Sequence, residues 1–244
     1  MNIIAIIPAR YHSSRLPGKL LEEVGGKSIL QRVYDQAVSS QLFSKVIIAT
    51  DHHRIADHCL SLQMVYEWTS ESHHSGTDRI AEVAEKLKAD IIINIQGDEP
   101  FIEQDCLQKL VQQFNHDHVQ IATLCKKIED ADMLFDYNVV KLVKSKKDKV
   151  LYFSRQTIPA HRDLPYKNWF ENHSYYQHLG LYGFRRNVLL ELVKLPISTL
   201  EATEKLEQLR WLENGYDIYC KIVLSNSFGI DTREDLNKAR ALYK

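Results

Sequence analysis

Three short runs in the first hundred residues, 3–8, 45–50 and 91–96, are nearly all apolar, and each closes on a polar residue or a proline. A strand exposed on one face would alternate apolar with polar, so these runs predict parallel strands buried on both faces. Between them the spacing becomes helical. Over 27–40, Ile29, Leu30, Val33, Tyr34 and Ala37 share one face, and 79–87 and 105–115 follow the same rule. Strands alternating with helices predict βαβ units in an α/β fold, with a mostly parallel open sheet flanked by helices.

The second half is less regular. Residues 139–143 and 150–153 read as two strands joined by the basic, turn-like 145–149, which predicts a hairpin. Residues 156–175 mix prolines, aromatics and charges without periodicity and read as a loop or excursion. A strand is expected over 176–184 and a helix over 203–214, closed by Gly215. A further strand follows over 218–224, then a last helix over 233–243, with Asp231 and Thr232 as candidate caps. The chain shows no internal repeat, linker or low-complexity segment, so a single domain over 1–244 is expected.

Composition narrows the function. A net charge of -1 offers no global field for nucleic acid or an anionic membrane, so any anion site must be a local cluster. The four cysteines, Cys59, Cys106, Cys125 and Cys220, never form a CxxC pair, which favours a reducing compartment over a disulfide framework. The first apolar run is only a strand long, unlike a signal peptide or membrane span. The cytoplasm is the expected location.

Ligands of open α/β sheets bind at the carboxyl ends of strands, so polar residues just after the predicted strands carry weight. The first such place holds Arg10, Arg15 and Lys19 on one loop, with Pro17 and Gly18 supplying a turn. Three cations suit a triphosphate, yet a solvated basic loop would read the same. Neither GxxxxGK[ST] nor GxGxxG is present. The second is NIQGDEP at 94–100, where Asp98 suits a hard cation and Gly97 a close backbone approach. Glu99 and Glu103 there also suit a plain helix entry. The third is GIDT at 229–232, where Asp231 is either a second metal carboxylate or an N-cap. The adjacent pairs His52–His53 and His73–His74 are expected to point apart, and no four-ligand zinc spacing appears.

Nine segments in order resemble the CMP-Kdo synthetase family, the 3-deoxy-manno-octulosonate cytidylyltransferases. They are IIPARYHSSRLPGK (6–19), VGGKSIL (24–30), VIIATDH (46–52), HHSGTDRIAEV (73–83), NIQGDEPFI (94–102), LYFSRQTIP (151–159), QHLGLYGFRR (177–186), LEQLRWLENG (206–215) and GIDTREDL (229–236). The first loop alone recurs in CMP-sialic acid synthetases; QGDEP with HLGLYGF and LEQLR favours Kdo. Ser28 and Leu20 stand where prolines are common in the family, and 160–175 does not align.

The resemblance implies a glycosyltransferase-A-like nucleotidyltransferase fold, a homodimer with its dimerisation excursion in the second half, and Mg²⁺. It implies that CTP and Kdo give CMP-Kdo and pyrophosphate, feeding lipopolysaccharide synthesis. Arg10, Arg15 and Lys19 then fall on the triphosphate loop, and Ser75, Gly76 and Arg79 near the cytosine and phosphates. Asp98 and Asp231 fall on the metal carboxylates, with Lys19 catalytic beside them. Gln96, Arg155, His178, Tyr182, Glu207 and Gln208 fall on positions that hold the sugar acid. The same chemistry on 8-amino-Kdo or a nonulosonate is the alternative. A non-catalytic nucleotide-binding module would predict a degraded metal site, and an NAD-dependent oxidoreductase a glycine-rich turn where this chain has Pro-Ala-Arg.

Overall fold

Alternate side chains of β1 (Ile3–Ala9) feed two separate cores. Ile3, Ala5 and Ile7 face one apolar cluster, Ile4 and Ile6 the other, and every residue of the strand is buried. The structure is a computed structural model that describes residues 1–13, 15–225 and 227–243. Ser14, in the basic loop, therefore lies outside the described residues.

β4 (Lys45–Thr50) and β6 (Ile91–Asn94) flank β1, both parallel to it. β2 (Glu23–Val24) and β3 (Lys27–Ser28) form a small ribbon before α1 (Ile29–Ser39). The helix expected over 27–40 thus starts two residues late, because Ser28 is its N-cap and accepts from Gln31 N at 3.0 Å. α2 (His53–Ser61) leads to β5 (Tyr66–Trp68), which pairs parallel with β4. α3 (Gly76–Glu85) starts earlier than its apolar face suggests, at a capping box between Ser75 and Asp78. α4 (Gln104–Gln112) ends in a 3₁₀ turn over Gln113–Asn115.

β7 (Ile121–Lys127) has no counterpart in the sequence reading, yet it lies inside the sheet. After α5 (Ala131–Phe135) come β8 (Lys141–Lys144) and β9 (Val150–Ser154), the expected hairpin. The 156–175 stretch holds a 3₁₀ turn and the short α6 (Trp169–Asn172). It packs on a small cluster of its own, Ile128, Leu134 and Tyr175, with Trp169 and Phe170 against it. β10 (Tyr176–Arg185) runs antiparallel to both β6 and β7. α7 (Arg186–Leu192) follows it directly.

The single helix expected over 203–214 is two: α8 (Thr199–Glu204) and α9 (Gln208–Glu213). Lys205 breaks it by entering the left-handed region at φ 54°. Two side chains hold the break. Arg155 Nε donates to Glu204 O at 2.7 Å, and Arg210 clamps Glu201 through Nε and Nη2 at 2.6 and 2.7 Å. β11 (Ile218–Ile222) then joins β7 in parallel, and α10 (Arg233–Leu242) closes the chain.

The main path of the sheet is β11-β7-β10-β6-β1-β4-β5, with the hairpin attached through β8 to β10. It is a mixed, mostly parallel sheet flanked by helices, and one sheet runs from the first strand to the last. No described helix is long and apolar enough to cross a membrane.

Gly183 is fixed by packing. A Cβ there would lie 2.5 Å from Phe114 Cε2 and 2.9 Å from Ile93 Cδ1. Gly183→Ala is expected to cost about 1–3 kcal/mol through overpacking. Urea unfolding checks it; an unchanged midpoint would mean that Phe114 retreats freely.

Candidate active site

Three strand-end segments meet because two glycines let them. A Cβ on Gly97 would lie 2.9 Å from the Pro8 carbonyl oxygen, and one on Gly76 would lie 3.2 Å from Pro8 Cγ. The end of β1 is thus held between the loop after β6 and the N-terminus of α3. A fourth segment is tied in by its backbone, since Ile230 N donates to Asp98 O at 2.9 Å. Asp231 comes beside Asp98 for that reason. The capping of α10 falls to Thr232, whose hydroxyl accepts from Asp235 N. Asp231 is thereby released from the cap role the sequence left open to it.

Lys19 is the centre of the cleft. Its Nζ donates to Asp98 Oδ2 at 2.6 Å and to Asp231 Oδ1 at 2.8 Å. Arg15 Nη2 reaches the other oxygen of Asp231 at 2.9 Å. Burial works against the Lys19 ammonium, but Asp98 and Asp231 outweigh it and hold its pKa above the ordinary lysine value. The lysine starts the 3₁₀ turn Lys19–Leu21, entered through Gly18 at φ 72°.

A cleft of about 400 Å³ opens over this triad. Its lining includes Arg10, Arg15, Lys19, Ser75, Gly76, Arg79, Gln96, Asp98 and Asp231, together with His73 and His74. The N-terminus of α3 therefore faces the cleft, with a partial positive charge suited to an anion. Arg79 is 4% exposed, and its guanidinium donates to Asp51 and, at 2.6 Å, to Thr69 Oγ1. It shapes the wall more than it offers free donors.

His178, Tyr182, Glu207, Gln208 and Arg155 lie outside the lining of that cleft. β10 carries a bulge between Leu179 and Tyr182 that brings the His178 and Tyr182 rings to 5.2 Å. Four residues of regular strand would span about 13 Å. Thr123, fully buried on β7, holds the bulge: its hydroxyl is 2.9 Å from Leu181 O, 3.2 Å from Leu179 O and 3.0 Å from His178 Nε2. The carbonyls take the hydroxyl proton, so His178 donates from Nε2. Desolvation pushes His178 down to about 3. Tyr182 Oη is buried without a hydrogen-bond partner among the described residues, and burial with the nearby Glu207 charge raises its pKa well above the ordinary tyrosine value.

Glu207 accepts from Thr77 Oγ1, and burial raises its pKa against that bond and one from Ser75. Gln208 is buried beside it at the start of α9. Arg155 is elsewhere: it donates to the carbonyls of Glu204, Tyr137 and Lys205, bracing the α8–α9 break.

Two features escape the sequence reading. Glu99, read there as part of a helix entry, is packed near Gly180 and Gly229. Burial and the adjacent Asp98 push its carboxyl up to about 7, with Lys126 opposing. The consecutive acids of QGDEP are the only signal in the chain that marks it. The rings of His52 and His53 do not point apart; they stack at 4.5 Å, and Tyr11 stacks on His52 at 4.2 Å. Among the described residues no group of three or more His, Cys, Asp or Glu could hold a metal ion. Asp98 and Asp231 are a pair, and their oxygens converge on one cationic position. That suits Mg²⁺, which binds through one or two carboxylates with substrate phosphates completing its shell.

The chain is similar to known proteins along nearly its whole length. The family model for cytidylyltransferase matches residues 4–218. A Cytophaga hutchinsonii protein named 3-deoxy-manno-octulosonate cytidylyltransferase is 44% identical over 97% of this chain and 95% of its own. A solved structure of CMP:2-keto-3-deoxy-manno-octonic acid synthetase complexed with CTP superposes with a TM-score of 0.93 at 39% identity, covering 99% of this chain and 98% of that one. A glucose-1-phosphate thymidylyltransferase structure from Bacillus anthracis shares the fold, with a TM-score of 0.70 at 16% identity over 99% of this chain and 95% of its own.

His178 gives a pH prediction. Its folded pKa is about 3 and its ordinary value 6.5, so between them the unfolded chain binds more protons. Stability from this group is complete above 6.5 and falls toward 3, by up to about 1.4 kcal/mol per pH unit. His178→Gln is expected to flatten the slope of urea-unfolding free energy between pH 7 and 5. Equal slopes would show that the ring is not held neutral.

Proposed function

The chain belongs to the cytidylyltransferase family, and we propose that its cleft transfers the cytidylyl group of CTP to 3-deoxy-manno-octulosonate (Kdo), releasing pyrophosphate. The observation that carries this reading is the convergence of Lys19, Asp98 and Asp231 beneath a mouth lined by Arg10, Arg15 and the α3 N-terminus. Cations at the mouth neutralise a triphosphate, and an acid pair on the floor takes a hard metal. The relatives named for this reaction support the choice of nucleotide and sugar acid.

The sugar's anomeric hydroxyl attacks the α-phosphorus and pyrophosphate leaves in line, so positioning and electrostatics do most of the work. Arg10 and Arg15 grip the phosphate tail. Lys19 neutralises charge at the α-phosphate. Asp98 and Asp231 would hold Mg²⁺, which when bound polarises the phosphate and the attacking hydroxyl. Gln96, His178, Tyr182, Glu207 and Gln208 form the sugar end. The partnerless Tyr182 hydroxyl supports a polar ligand there, because a buried orphan costs about 1–3 kcal/mol. Arg155 supports that end indirectly, through the α8–α9 break that sets Glu207.

Three further assignments accompany the reaction. The second-half excursion is the contact with a second copy, supported by the exposed Tyr137, Leu151 and Tyr166. Four buried, unpaired cysteines favour the cytoplasm. The product serves lipopolysaccharide synthesis.

A pyrophosphate-release assay crossing the four NTPs with Kdo, 8-amino-Kdo and a nonulosonate is expected to single out CTP with Kdo. Turnover only with another acid would move the substrate. Asp98→Asn is expected to lower kcat about 10²–10³-fold at low Mg²⁺; near-normal turnover would remove Asp98 from the metal site. Lys19→Ala is expected to act on kcat rather than on sugar KM.

A further inference from the structure

Lys19 occupies a position that a metal ion would also need. Its Nζ touches Asp98 Oδ2 and Asp231 Oδ1 at 2.6 and 2.8 Å, and its side chain is only 9% exposed. Arg15 takes the remaining oxygen of Asp231 at 2.9 Å. A divalent ion bound by those oxygens would lie at about 2.0–2.1 Å from them. Ammonium and metal would then share one small, partly desolvated volume, and like charges there repel strongly. They exclude each other.

We propose that Lys19 is a resident placeholder cation, which keeps the carboxylate pair assembled and closed to free divalent metal until a nucleotide draws its ammonium away. The proposal rests on the reading of Asp98 and Asp231 as the metal carboxylates. The physical case has three parts. Without a cation, two carboxylates held together by the Ile230–Asp98 backbone bond would repel each other and the neighbouring Glu99. Lysine suits the task better than arginine, because its charge is compact and its four-carbon stem swings without moving the backbone. The Lys19 backbone is fixed by its bond to Leu16 O at 3.2 Å, so only the side chain has to move.

An incoming triphosphate supplies the exchange. Its oxygens attract the ammonium toward the phosphates, where Lys19 is needed for the reaction. The vacated carboxylates then receive the metal that travels with the nucleotide. No bond is made or broken; one cation replaces another on the same oxygens. Metal therefore enters with or after the nucleotide, and the free protein does not consume metal in a nucleotide-free state.

The test reads Mn²⁺ binding to the nucleotide-free protein, by free-Mn²⁺ electron paramagnetic resonance and water-proton relaxation, without any turnover. Lys19→Met is expected to bind Mn²⁺ at least about ten-fold more tightly than the unaltered chain. Lys19→Arg, which keeps the charge, is expected to restore weak binding. Arg15 is 59% exposed and makes a solvent-facing ion pair, so Arg15→Ala gives a second arm even if Lys19→Met folds poorly. A gain of about two- to three-fold is expected there, since only the outer cation of Asp231 is removed. Asp98→Asn in the Lys19→Met background is expected to abolish the gain. If Lys19→Met and Arg15→Ala both bind Mn²⁺ no more tightly than the unaltered chain, while Asp98→Asn weakens all of them, the metal site stands and the placeholder is overturned. If no form binds Mn²⁺ in a manner sensitive to Asp98, the metal assignment and the placeholder fall together.

Discussion

The position of β1, buried on both faces and flanked by two parallel neighbours, is the constraint on which the cleft depends. Parallel pairing sends the ends of β1, β4 and β6 to the same edge of the sheet, so the segments that follow them emerge together. Pro8 at that edge is approached by Gly76 and Gly97 at distances no Cβ would tolerate without movement. The loops pack directly against the end of β1 there. Charge then finishes what packing begins: Asp98 and Asp231 are brought together by backbone, and one ammonium with one guanidinium makes their proximity tolerable.

How much of this is legible in the chain depends on how local the cause is. The central strands are legible because burial on both faces writes an unbroken apolar run. Cleft residues at strand ends are legible because topology alone sends them there. β7 is the exception: IATLCKK is also a short apolar run closing on polar residues, but it lies outside the regular strand–helix alternation of the first hundred residues. Its place is decided by β10 and β11, which lie far along the chain. The α8–α9 break is hidden for a similar reason. The local pattern is helical throughout, and the stop comes from Arg155 and from the Arg210–Glu201 clamp. Arg155 shows the converse: a motif position in the sequence, it spends its donors on backbone carbonyls in the fold. The β10 bulge cannot be read either, since the hydroxyl that braces it, Thr123 Oγ1 against Leu179 O and Leu181 O, comes from a strand far along the chain.

The two ends of the site use opposite electrostatics. The strand-end cleft is open and rich in formal charge, with Arg10, Arg15, Lys19, Asp98 and Asp231 all on its wall. At the other end burial moves each titratable group toward its neutral form: His178 down, Tyr182 and Glu207 up. On the proposed assignment of this cluster to the sugar, neutral hydrogen-bonding groups suit its hydroxyls, which are recognised by donor and acceptor geometry.

The first turn of α3 belongs to both ends. Ser75 and Gly76 face the phosphate cleft, while Thr77, the next residue, donates to Glu207. The turn is rigid, since the Ser75–Asp78 capping box fixes its first N–H groups and the Gly76–Pro8 contact fixes its approach to β1. Its position sets two distances at once: from the phosphate-facing N–H groups to β1, and from Thr77 to the acid that begins α9. A shift of the turn toward an anion would carry Thr77 with it and disturb a bond to a buried carboxyl. The cost of that disturbance is high in a dry environment. On the proposed assignment of the two ends, the turn holds nucleotide and sugar at a fixed separation, which is what an in-line transfer between two bound substrates requires.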